Sequence, residues 1–101
     1  MSSVQEFFEG LPARVSPDRI AGMNNTYVFD IEGAGTWTVA IADGAIQVAE
    51  GAGDADCTFT ASAESFEKIV KGEQNPTTAY MTGKLKIKGD IGAAMKLQKL
   101  F

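Results

Sequence analysis

The run Met81-Thr-Gly-Lys-Leu-Lys-Ile-Lys-Gly-Asp90 interleaves three lysines with Leu85 and Ile87 on alternate positions. Strict alternation at period two describes a strand with one apolar face and one charged face. The run leads directly into the apolar segment Ile91 to Phe101. One side of this strand is wet and the other must be covered, so the fold follows from asking what covers it.

Working back to the N-terminus, Val4, Phe7, Phe8 and Leu11 recur at helical spacing, with Gln5, Glu6 and Glu9 elsewhere around the turn. This predicts an amphipathic helix over residues 2–11, stopped by Pro12. Ser16 followed by Pro17 predicts a short second helical turn, with serine as cap and proline at the first position. From Asn25 the period becomes two: Tyr27, Phe29 and Ile31 alternate with Thr26, Val28 and Asp30, and Gly33-Ala-Gly35 turns the chain into Trp37, Val39 and Ile41. Asp43-Gly44 is a strong two-residue hairpin signal leading into Ala45 to Glu50. After the loop of residues 51–56, Cys57, Phe59 and Ala61 alternate with Thr58 and Thr60, the threonines marking the wet side.

Ser62 is a suitable N-cap for a helix in which Phe66, Ile69 and Val70 share a face and Gly72 marks the stop. Asn75-Pro76 starts a shorter helix carrying Tyr80 and Met81 to Gly83. Asp90 caps a last helix whose expected apolar stripe is Ile91, Ala94, Met95, Leu97 and Phe101. The fold class is therefore α+β, a five-stranded, mostly antiparallel sheet with helices gathered over one face, in one domain spanning residues 1–101.

Composition narrows the function. The chain has 101 residues, a formal charge of −4, 45% hydrophobic residues, one cysteine and no histidine. Without histidine, neither a Ser-His-Asp nor a Cys-His nucleophile system can be built, and the commonest metal ligand is missing. No acid–base pair is evident, so a non-catalytic protein without cofactor or metal is expected. The acidic balance argues against a nucleic-acid partner. No apolar run approaches a membrane span, Met1-Ser-Ser-Val-Gln-Glu lacks the features of a signal peptide, and the lone Cys57 fits a reducing compartment, so a cytoplasmic location is expected. Cys57 shares the direction of Phe59 and reads as a buried structural thiol. Glu50, Asp54 and Asp56 lack the spacing of a calcium loop and read as a solvated turn.

The aromatic and methionine set, from Phe7 to Phe101, is core by composition. Met81 and Met95 are adaptable side chains, and Gly92, Ala93 and Ala94 leave the last helix without bulk. That admits two packings, one lining a void and one bringing the helix close to the sheet.

The stretch Gly83-Lys-Leu-Lys-Ile-Lys-Gly-Asp-Ile-Gly-Ala-Ala-Met-Lys-Leu-Gln-Lys-Leu100 resembles the C-terminal strand and helix of the sterol carrier protein type two domain, the non-specific lipid-transfer family. Val28-Phe-Asp30, Trp37 before Asp43-Gly44, Ala55-Asp-Cys-Thr-Phe-Thr60, Ser62 to Phe66 and Gly72 extend the resemblance over nearly the whole chain. It implies a five-stranded sheet and helices enclosing an apolar tunnel for fatty acids, acyl-CoA, phospholipids or sterols. By the same resemblance the lipid-binding residues would be Phe66, Ile69 and Val70, Tyr80 and Met81, and Ile91, Ala94 and Met95. Asp90 would hold the helix start without touching ligand. The ending Lys99-Leu-Phe101 differs from the Ser-Lys-Leu type of peroxisomal signal, so no peroxisomal address is expected.

The leading functional expectation is lipid binding and transfer. The helical lid, residues 76–82 and 91–101, would open, and Lys84, Lys86, Lys88, Lys96 and Lys99 would be available to an anionic membrane surface or a CoA phosphate. A plain solvated face explains those lysines too. The competing expectation is a protein interaction or oligomerisation module of the same fold with no physiological lipid.

Overall fold

The computed structural model describes residues 3–15 and 17–97. Helices α1 (Ser3–Arg14) and α2 (Pro17–Ile20) precede strands β1 (Asn25–Glu32), β2 (Gly35–Ala42), β3 (Ala45–Glu50) and β4 (Cys57–Ser62). Helices α3 (Ala63–Val70) and α4 (Pro76–Met81), strand β5 (Leu85–Gly89) and helix α5 (Ile91–Leu97) complete the order. Pro12 does not stop α1, which runs on to Arg14. So close to the helix end, the missing N–H forfeits one backbone bond, and buried Leu11 keeps the last turn docked. The cap assigned to Ser16 and the apolar residue Phe101 lie outside the described residues.

The five strands lie in the order β3-β2-β1-β4-β5. All neighbours are antiparallel except β1 and β4, which run parallel with Tyr27 beside Cys57 and Phe29 beside Phe59. The sheet is thus mixed, because the chain crosses from β3 past β2 and β1 before adding β4. Asp43 and Gly44 both take positive φ, 53° and 74°, as a tight turn matched to the strand twist demands.

The dry face carries Tyr27, Phe29 and Ile31, then Trp37, Val39 and Ile41, then Cys57, Phe59 and Ala61, all buried. Helix α1 lays Phe8 over it. Its ring stacks on Trp37 at 4.7 Å and on Phe66 of α3 at 5.4 Å, and meets Phe29 at 5.1 Å. This aromatic cluster joins α1, α3 and the central strands, and supplies both area burial and ring-packing energy.

The other face is rich in threonine and lysine. Lys88 pairs with Thr58 and Lys86 with Thr60 across β4 and β5. Val28, in register with Thr38 and Thr58, points to this face yet is buried. The β3–β4 loop crosses here: Gly51 accepts the Thr38 hydroxyl at 2.7 Å, and Thr26 N–H donates to the Asp56 carboxylate at 2.9 Å. The loop expected to be a solvated turn is therefore tied to the sheet by hydrogen bonds.

Candidate functional site

Two short helices flank β5, and each is positioned by a polar cap. The Asn75 side-chain oxygen accepts from Thr77 and Thr78 N–H at 2.8 and 3.4 Å, starting α4. The Asp90 carboxylate accepts from Gly92 and Ala93 N–H at 2.9 and 3.3 Å, starting α5. Asp90 thus satisfies helix-terminal donors that would otherwise lack partners. Helix α4 packs on β5 through buried Ala79, and α5 packs on β4 and β5 through buried Ala93 and Ala94.

Of the eight residues singled out as lipid-binding, Phe66, Ile69 and Ala94 are buried and Val70 is half-buried against the core. The other four are turned outward: Tyr80 is 46% exposed, Met81 79%, Ile91 46% and Met95 63%. The expected stripe on the last helix is therefore corrected. Ile91 and Met95, one turn apart, share an exposed side, while the helix meets the sheet through alanines. Ala93 and Ala94, both buried, are the small side chains on the side of α5 that meets the sheet. A bulky substitution at Met95 would not fill the interior from this position.

The sequence places Tyr27 among the core aromatics, and its hydroxyl has a specific task besides. It donates to the Ala93 carbonyl oxygen at 2.7 Å, within the core. The signal was a tyrosine alternating with phenylalanine and isoleucine on a dry strand face, since a buried phenol requires an acceptor. Burial, reinforced by Cys57, Asp56 and Asp90, pushes the Tyr27 hydroxyl up to about 12. Burial likewise raises the Cys57 thiol, which suits a structural residue better than a nucleophile.

A polar cleft of about 280 Å³ lies where β4 gives way to α3, lined by Glu32, Thr60, Ser62, Ser65, Lys84 and Lys86 among others. Its hydroxyl and charged lining belongs to the wet face and shares no residue with the apolar set. Among the described residues no group of three or more acidic or cysteine side chains could hold a metal ion, and no helix is long and apolar enough to cross a membrane.

Residues 5–101 match the model of the SCP-2 sterol transfer family. Hydroxysteroid dehydrogenase-like protein 2 of Danio rerio is 35% identical over 96% of this chain, which spans 24% of that protein's length. The solution structure of the sterol carrier protein domain 2 of Helicoverpa armigera superposes with a TM-score of 0.77 at 31% identity, covering 97% of this chain and 82% of that one. The sterol carrier protein 2 of Yarrowia lipolytica, in its apo form, shares the fold at a TM-score of 0.78 and 24% identity, covering 93% of this chain and 85% of its own.

Proposed function

The chain belongs to the SCP-2 sterol transfer family and has the fold of its lipid-binding and transfer domains; we propose that it holds the acyl portion of a fatty acid, acyl-CoA, phospholipid or sterol-like lipid between α3, α5 and the dry face of the sheet. Phe66, Ile69, Val70 and Ala94 form the inner wall in this reading. Tyr80, Met81, Ile91 and Met95 form the mouth. The carrier operates without catalysis or cofactor, in the cytoplasmic setting expected from the sequence.

The observation that carries the reading is this division of one apolar set into an inner and an outer half. Four large apolar side chains stand in water on helices of six and seven residues. Helices this short are not stable alone and depend on the contacts beneath them. Such elements open at lower free energy than the strands they cover. Burying an acyl chain contributes roughly 0.8 kcal/mol per methylene, so the open form is drawn toward ligand without any polar chemistry.

A second reading follows from length. The chain spans about a quarter of the Danio rerio relative, so a domain of this kind also serves as one part of a larger protein, where the same outward side chains would meet another domain. Native mass spectrometry of freshly purified protein, before and after incubation with a lipid panel, separates the two. Lipid adducts released on denaturation are expected. A clean protein mass throughout would put the interaction module ahead.

A further inference from the structure

The two edges of the sheet are built differently. At the β5 edge Lys84, Lys86 and Lys88 are exposed, and α4 and α5 pack on the strand. Charged side chains and flanking helices of this kind keep an edge from pairing with another chain. Strand β3, at the opposite end of the sheet, reads Ala45-Ile-Gln-Val-Ala-Glu50 and holds no lysine or proline. Its register with β2 runs without a bulge from Ala45 opposite Ala42 to Glu50 opposite Trp37.

The hydrogen-bond phase of β3 follows from its two ends. The tight turn at Asp43-Gly44 makes Ala42 and Ala45 a bonded pair, and beyond the strand Gly51 N–H donates to the Thr36 carbonyl oxygen at 2.8 Å. Pairs in an antiparallel ladder alternate between bonded and non-bonded, so Ala45, Gln47 and Ala49 bond to β2. The N–H and C=O groups of Ile46, Val48 and Glu50 point the other way, out of the edge, and no hydrogen bond from another described residue meets them. Ile46 is buried and Val48 half-buried on the dry face, where α1 packs, while Ala45, Gln47 and Ala49 are exposed.

We propose that the β3 edge takes up an extended, basic segment of a protein partner as an added strand. The outward groups of Ile46, Val48 and Glu50 supply main-chain hydrogen bonds, and alternate apolar side chains of the segment lie beside Ile46 and Val48. The surrounding charge sets the kind of segment. Residues 1–67 hold eleven acidic residues against Arg14 and Arg19, and every lysine lies beyond them. Asp43 and Glu50 bracket the edge, and Glu6 and Glu9 are exposed on the helix packed against it. Such a field speeds the approach of a basic strand and turns away an acidic one. A second copy of this chain is the poorer occupant, since pairing β3 with itself brings two acidic halves together.

This edge lies across the sheet from β5 and the helices beside it, so it stands or falls separately from the carrier reading. Amide exchange is followed by NMR on the whole chain, alone and with a peptide of alternating lysine and valine, and affinity is read from the anisotropy of the labelled peptide. Alone, the amides of Ile46, Val48 and Glu50 should exchange fast while those of Gln47 and Ala49 are protected. The peptide should protect the first set, with binding weakened by salt, and a glutamate–valine peptide should not bind. Val48→Pro removes an outward donor without touching the bonds to β2 and should lower affinity more than about tenfold. Glu50→Lys alters only an exposed side chain and should lower it about threefold, which keeps the test decisive if the proline variant does not fold. Absence of binding, equal binding of the glutamate peptide, an indifferent Glu50→Lys, or protection of Ile46 and Val48 before peptide is added would overturn the proposal. So would protection that grows with protein concentration alone, since the edge would then belong to a second copy.

Discussion

The hydroxyl of Tyr27, on the central strand, donates a 2.7 Å hydrogen bond to the carbonyl oxygen of Ala93 in the first turn of α5. The Asp90 carboxylate caps the same turn and Asp90 N–H donates to the Asp56 carbonyl oxygen at 2.9 Å, so the start of α5 is tied both to β1 and to the residue preceding β4. The turn bearing exposed Met95 follows.

Replacing Tyr27 with phenylalanine removes the donor and keeps the ring. The expected cost is about 1 kcal/mol, since the Ala93 carbonyl is a helix acceptor with a further lone pair in use. Urea denaturation gives the total. Amide exchange should rise in residues 91–97 while β1 stays protected, and uniform acceleration would show that the bond supports the whole fold.

The same hydroxyl makes stability sensitive to alkali. Its ordinary value of 10.0 is raised to about 12 in the folded chain, chiefly by burial. Between those values the unfolded state has released its proton and the native state still holds it. Stability is therefore intact below pH 10 and falls as the pH rises through that window, at up to about 1.4 kcal/mol per unit. The Cys57 thiol is pushed the same way, so the informative comparison is between the native chain and Tyr27→Phe. The variant should lose stability less steeply across the window, and parallel curves would assign the effect elsewhere.

Much of this architecture was legible because each local signal had a single physical reading. Asp43-Gly44 takes the positive φ pair that a two-residue hairpin requires, and Ser62, Asn75 and Asp90 each cap the helix assigned to them. The mixed pairing of β1 with β4 was not legible, since alternation gives a strand its faces but not its neighbours. Nor was the outward turn of Ile91 and Met95. Their spacing fits an apolar stripe as well as Ala93 and Ala94 do, and the choice depends on how closely the sheet must be approached. Val28 is a similar case: its neighbours in register are threonines, and nothing in the periodicity announces that it is buried.

Two glycines separate backbone strain from steric collision. Gly83, after α4, and Gly89, at the end of β5, have φ of 81° and 105°, but a Cβ at Gly83 meets open space while one at Gly89 runs into the Asp56 carbonyl oxygen. Gly83→Ala should cost about 1 kcal/mol from conformation alone. Gly89→Ala should exceed ~2 kcal/mol, because the strained φ is joined by displacement of the Asp56 backbone. That backbone accepts from Asp90 N–H at 2.9 Å, so the α5 start should move as well. Chemical denaturation of both variants checks the ranking, and equal losses would mean that the Asp56 loop yields freely.

The inner and outer halves of the apolar set should answer differently to added bulk. Ile69 is buried on α3 and Met95 stands largely in water on α5. Ile69→Trp overfills the interior and should cost ~1–3 kcal/mol of stability while lowering fatty-acid affinity. Met95→Trp should leave stability within about 0.5 kcal/mol. If Met95 is part of a mouth, its enlargement alters the passage of the ligand more than its final seat, so association and dissociation slow together and affinity shifts by less than about threefold. Stopped-flow measurement with a fluorescent fatty acid yields both rates. A large affinity loss from Met95→Trp with unchanged association would place the bound chain along the outer side of α5, and indifference of both variants would remove the ligand from these helices altogether.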